Sequence, residues 1–148
     1  MNVPTLTTAS LLDVLQGLLE GEQSSLFRFM NEGTPYLTRA TVETRALVNE
    51  IARTNLRHCS QLTRVIEDQG GITRMPRPRA EEQYLAYLSL KFLLPRLAQD
   101  KRESIERYEN ALKSLIAAPQ NIRALLEAHL NIHRNQLQQL QAAAANQK

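Results

Sequence analysis

The chain has 148 residues, a single cysteine and a formal net charge of +3. That length suits one domain with its own core, the lone Cys59 excludes a disulfide framework within the chain, and so small a charge gives no argument for nucleic acid. No run reaches the ~18 apolar residues that a membrane span requires, and the opening MNVPTLTTAS lacks the basic and apolar regions of a signal peptide, so a reduced, cytoplasmic protein is expected.

Gly and Pro cluster at 33–35, 70–78 and 118–119, and such clusters break regular structure. Between them apolar residues recur at helical spacing, with no β-branched alternation. The first helix is predicted over 10–31, with Ser10 and Asp13 as a variant capping box. Its stripe is Leu11, Leu12, Leu15, Leu18, Leu19, Leu26, Phe29 and Met30. The second is predicted over 41–69, closed by Gly70 and Gly71, which tolerate a left-handed C-cap. Leu47, Val48, Ile51, Leu62, Val65 and Ile66 form its apolar face.

Residues 81–116 also carry a helical pattern, but Pro95 interrupts it. Proline removes a donor and clashes with the preceding turn. A short helix over 80–93 is therefore predicted, then a third long helix from Pro95 with Leu97, Ile105, Tyr108, Leu112 and Leu115 inward; one kinked helix is the alternative. The fourth helix is predicted from Pro119 to Ala143, with Ile122, Leu125, Leu126, Leu137 and Leu140 inward. Residues 1–148 thus form one all-α domain, an up-down four-helix bundle with frayed ends at about 1–8 and 143–148. The long connection between the second and third helices can carry the chain across the bundle.

At about 3.6 residues per turn, each apolar stripe has a polar group near its middle. These are Glu22 on the first helix, Asn55 and His58 on the second, Lys101 on the third, and His129 and His133 on the fourth. Burying such groups unpaired costs several kcal/mol apiece. They are expected to share one polar centre and to meet each other, water or a metal. A histidine on an apolar face is more often a hydrogen-bonded core residue, and a mid-stripe lysine often snorkels outward. The coincidence of depth on four helices favours the shared centre.

Four segments carry a resemblance. LLEGEQSSLFRFM, HCSQLTRVIEDQGG, DKRESIERYENAL and EAHLNIH resemble, in order, the four helices of the ferritin-like superfamily, which includes bacterioferritins and rubrerythrins. The resemblance implies a bundle with a long crossover between the second and third helices. It also implies a diiron site built from one Glu on each of two helices and Glu-x-x-His on each of the other two. Glu22, His58 and His129 stand at ligand positions, whereas Asn55, Lys101 and Leu126 stand where carboxylates belong. Glu103 is the alternative on the third helix, but it points off the apolar stripe. Two ferrous ions carry four positive charges that one carboxylate beside a lysine does not balance. Asn55 and His58 are then remnants of Glu-x-x-His in a buried polar network of Glu22, Asn55, His58, Lys101 and His129, with Lys101 paired to Glu22.

The expected function is a non-catalytic structural or interaction protein with no cofactor and no catalytic residue, acting by self-association or with another protein. The alternative is one Fe or Zn ion held by Glu22, His58, His129 and His133. An iron-oxidising oxidoreductase rests on fold analogy alone. Arg53, Arg57, Arg64, Arg74, Arg77 and Arg79 read as a solvated face rather than a nucleic-acid surface. Phe27, Leu85, Leu88 and Phe92 either form a second apolar surface or pack the crossover onto the bundle. Cys59 reads as a packing thiol.

Overall fold

A computed structural model describes residues 7–27, 42–73 and 90–146, apart from the side chains of residues 8, 90 and 91. Among them are four α-helices: α1 Thr8–Gln23, α2 Val42–Asp68, α3 Leu90–Ser114 and α4 Gln120–Ala145. No helix of the described residues is long and apolar enough to cross a membrane. α1 packs on α2 and α3, and α4 packs on the same two. The helices therefore form a square, with α1 opposite α4 and α2 opposite α3.

Contacts fix the helix directions. Gln16 in the middle of α1 donates to the Ile72 carbonyl just past α2, whereas Glu22 in the last turn of α1 meets Asn55 in the middle of α2, so these two run antiparallel. Leu26, just past α1, meets Asp100 of α3, whereas Glu22 meets Tyr108 further along α3, so these two also run antiparallel. Arg123 at the start of α4 donates to the Leu112 and Leu115 carbonyls at the end of α3. The diagonal pair α2 and α3 is thus parallel, the arrangement that a long crossover requires. The short helix expected over 80–93 falls mostly outside the described residues.

Three boundaries differ from the sequence expectation. α1 begins earlier, because Thr7 rather than Ser10 is the N-cap: its hydroxyl accepts from the Ser10 N–H at 3.1 Å. α1 also ends at Gln23 instead of continuing to 31. The Asp100 carboxylate accepts from the Ser25 hydroxyl at 2.8 Å and from the Leu26 N–H at 3.4 Å. A distant acid thereby holds the turn that follows α1, an arrangement that no local pattern displays. Finally, α3 does not start at Pro95 but runs through it. Pro95 lies exposed while Leu93, Leu94 and Leu97 are buried, so burial outweighs one lost backbone hydrogen bond.

The end of α2 follows the glycine reading. Gly70 takes φ 83°, and the N–H groups of Gly70 and Gly71 bond back to the Glu67 and Ile66 carbonyls at 2.9 and 2.8 Å. Gly71 is closely packed: a Cβ there would lie 2.7 Å from Leu12 Cδ2, 2.8 Å from Ile66 Cγ2 and 3.1 Å from the Ile66 carbonyl oxygen. Gly71→Ala is expected to cost ~1–3 kcal/mol by overpacking. Urea denaturation checks this, and an unchanged midpoint would mean that the turn yields without loss.

The apolar interior has two parts. One contains Leu11, Leu15, Leu19, Leu62, Ile66, Leu115 and Leu126. The other contains Leu26, Phe27, Val48, Ile51, Leu93, Leu97 and Leu140. Phe27, considered for an outer apolar surface, is fully buried, whereas Phe92 is exposed; Leu85 and Leu88 fall outside the described residues. Glu22, Asn55, His58, Lys101 and His133 lie between these two parts along their helices, and His129 lies at the edge of the first.

Candidate metal centre

Glu22 occupies the last turn of α1, where the backbone carbonyls lack helical partners. Asn55 of α2 serves that end. Its amide nitrogen donates to the Glu22 carbonyl oxygen at 2.8 Å and to Glu22 Oε2 at 3.0 Å. The other carboxylate oxygen, Oε1, lies 2.6 Å from His133 Nε2 and 3.3 Å from the Tyr108 hydroxyl. Lys101 Nζ lies 2.9 Å from His133 Nδ1 and 5.0 Å from the Phe27 ring centre.

These contacts have one consistent direction. An ammonium has no acceptor atom, so Lys101 donates to His133 Nδ1. His133 then carries its proton on Nε2 and donates to Glu22. The expected pairing of Lys101 with Glu22 is therefore not direct: a neutral imidazole stands between the charges and hydrogen-bonds to both.

A second arm leads toward solvent. His129 Nε2 lies 2.8 Å from Gln61 Oε1, and its Nδ1 lies 3.0 Å from the Tyr108 hydroxyl. With the amide oxygen facing Nε2, His129 donates to Gln61 and accepts from Tyr108. His58 stacks on His129 with ring centres 3.7 Å apart and planes 17° apart. Neither nitrogen of His58 has a hydrogen-bond partner. Its Nδ1 lies 3.5 Å from Glu22 Oε2, a contact that falls short of a hydrogen bond.

Burial alone would raise the Glu22 carboxyl, but the His133 hydrogen bond and the close approach of the His133 and His58 rings hold it well below the usual carboxylate range. Burial lowers Lys101 to about 8 against the opposing pull of Glu22 and Asp100. Burial also lowers His129 to about 3 and His133 to about 4. Tyr108 is pushed well above its ordinary value by burial and by the Glu22 charge. The centre thus holds one carboxylate, one ammonium and the neutral rings of His129 and His133.

One ligand atom from each of Glu22, His58 and His133 lies within 4.8 Å of the others, the one such trio found among the described residues. The structure brings His133 rather than His129 into this group; His129 is turned to Tyr108 and Gln61. Leu126 is buried in the apolar interior. Glu103 faces Arg107 at 3.9 Å on the half-exposed side of α3.

A crystal structure of ferritin like, diiron-carboxylate proteins from Bacillus anthracis str. Ames is similar to this chain, with a TM-score of 0.65 at 21% identity, covering 95% of this chain and 99% of that one. This chain has the ferritin-like fold. No family model matches it, and no curated protein does. On the ferritin-like frame the polar layer lies at mid-bundle, where all four helices contribute a residue to it.

Sequence patterning missed the roles of Tyr108, Gln61 and Asp100. Tyr108 looked like a stripe residue, but a buried phenol needs a partner for its hydroxyl, and that signal was present. Gln61 is exposed and gave none. Arg53 and Arg57 both pair with Glu50, at 3.0 and 3.2 Å, while Arg74, Arg77 and Arg79 fall outside the described residues. Cys59 is half-buried against the first apolar part.

Proposed function

We propose that this ferritin-like chain has lost the diiron centre and serves as a non-catalytic structural or interaction protein, assembling with copies of itself or with another protein. The observation that carries this reading is the Lys101–His133–Glu22 chain. A diiron-carboxylate site needs about four carboxylates to balance its ions. Here one carboxylate remains, and an ammonium bonded to His133 already supplies its counter-charge. Asn55 and Leu126 offer no anionic ligand in place of the others. The residues present do not fit two irons.

Elemental analysis of untagged protein, joined to aerobic Fe²⁺ oxidation, tests the reading. The expected result is at most one metal per chain and oxidation no faster than in buffer. Two irons per chain with saturable oxidation would overturn it.

A second reading is a single-ion site at Glu22, His58 and His133, favoured by the unpartnered nitrogens of His58. A buried imidazole with both nitrogens unsatisfied is costly, and a metal would satisfy one of them. Two nitrogens and one carboxylate suit Zn²⁺ or Fe²⁺ in ligand type.

A further inference from the structure

We propose that the Lys101 bond to His133 and one divalent transition-metal ion held by Glu22, His58 and His133 are mutually exclusive, so that the lysine is a built-in competitor of the metal. This rests on the single-ion reading. His58 is 2% exposed and lacks a partner at either nitrogen, and its Nδ1 stands 3.5 Å from Glu22 Oε2. A tetrahedral ion with bonds of about 2.1 Å spaces its ligand atoms about 3.4 Å apart, so this edge already has the spacing. The His133–Glu22 edge, at 2.6 Å, needs to open by less than an ångström.

Lys101 opposes that opening. A histidine that binds metal through Nε2 carries its N–H on Nδ1 and donates from it. In this structure His133 Nδ1 instead accepts from Lys101 at 2.9 Å. An ammonium cannot accept the reversed bond. The lysine head has to withdraw before His133 turns its Nε2 lone pair to an ion, and its long flexible stem makes that movement available. Glu22 serves whichever cation is present. The outcome is a site with two filled states, one cation internal and one external.

The test is Co²⁺ titration of untagged, metal-free protein, read by d–d absorption, with Zn²⁺ as competitor. The chain has three histidines, all in this layer, so no imidazole elsewhere competes. Lys101→Gln is expected to bind one Co²⁺ per chain about 10- to 100-fold more tightly than the unmodified chain, and adding His58→Ala is expected to abolish the gain. Lys101→Met is the second variant, with helicity and melting recorded on every sample. Nitrogen-15 spectra of the unmodified chain provide a reading without substitution: saturating Zn²⁺ is expected to move His133 Nδ1 from an acceptor to an N–H nitrogen. Equal affinity in the unmodified chain and both lysine variants would overturn the competition while leaving the single-ion site standing. Absence of binding in all of them, with the fold retained, would remove the single-ion site and the inference together. An Nδ1 signal unmoved by bound Zn²⁺ would also overturn the competition.

Discussion

Glu22→Leu and Lys101→Met are each expected to destabilise the chain by ~3–5 kcal/mol, and the double variant to lose less than their sum by ~1–3 kcal/mol. Each single change strands a buried charge. Leucine at 22 leaves the Lys101 ammonium buried at 2% exposure without the carboxylate that balances it through His133, and it deprives His133 Nε2 of its acceptor. Methionine at 101 leaves the Glu22 carboxylate to hydrogen bonds from Asn55 and His133 alone. Removing both charges strands neither. Urea unfolding of the four proteins closes the cycle, and strictly additive losses would show that the imidazole does not couple the two charges.

Acidification is expected to destabilise the fold well before the carboxylates titrate. His129 and His133 have ordinary values of 6.5 and are held at about 3 and about 4 in the folded chain. Below pH 6.5 the unfolded chain takes up two protons that the folded chain refuses. Stability is therefore present above 6.5 and falls by up to ~2.7 kcal/mol per pH unit as pH drops toward 4. Glu22 adds loss in the same direction below 4.5, because its folded value is also depressed. On the alkaline side Lys101 is held at about 8 against an ordinary 10.5. Between these values the unfolded chain holds the extra proton, so stability rises with pH by up to ~1.4 kcal/mol per unit. Tyr108 reverses that trend above 10, since its folded value is raised and the unfolded phenol ionises first. Urea midpoints from pH 4 to 10 check the curve. A flat profile between 5 and 7 would mean that the two imidazoles are not kept neutral.

The four helices were legible because each carries a long stripe at helical period, and the end of α2 and the start of α4 are marked by glycine and proline. Polar residues interrupting those stripes were equally legible, since periodicity assigns a side chain to a face whatever its chemistry. What patterning does not supply is distance between helices. Glu22 and His133 lie far apart in the chain, and their 2.6 Å contact depends on how deeply α1 and α4 interlock. The choice between His129 and His133 is of this kind, because residues four apart share a helical face. The end of α1 was hidden for a related reason: Asp100, on another helix, holds the turn that follows it. Pro95 misled in the opposite direction, with a local rule outweighed by the burial of its neighbours.

The polar layer between the two apolar parts also works as an alignment key. Helices lined with leucine alone could slide along one another at little cost, since one leucine replaces another. A slide of one turn, ~5.4 Å, would here drive Lys101 among the leucines of one compartment and leave Glu22 facing hydrocarbon. One axial setting of the four helices places every polar group at the same height. The layer thus penalises misaligned packings, in the way that a buried polar residue sets the pairing of a coiled coil.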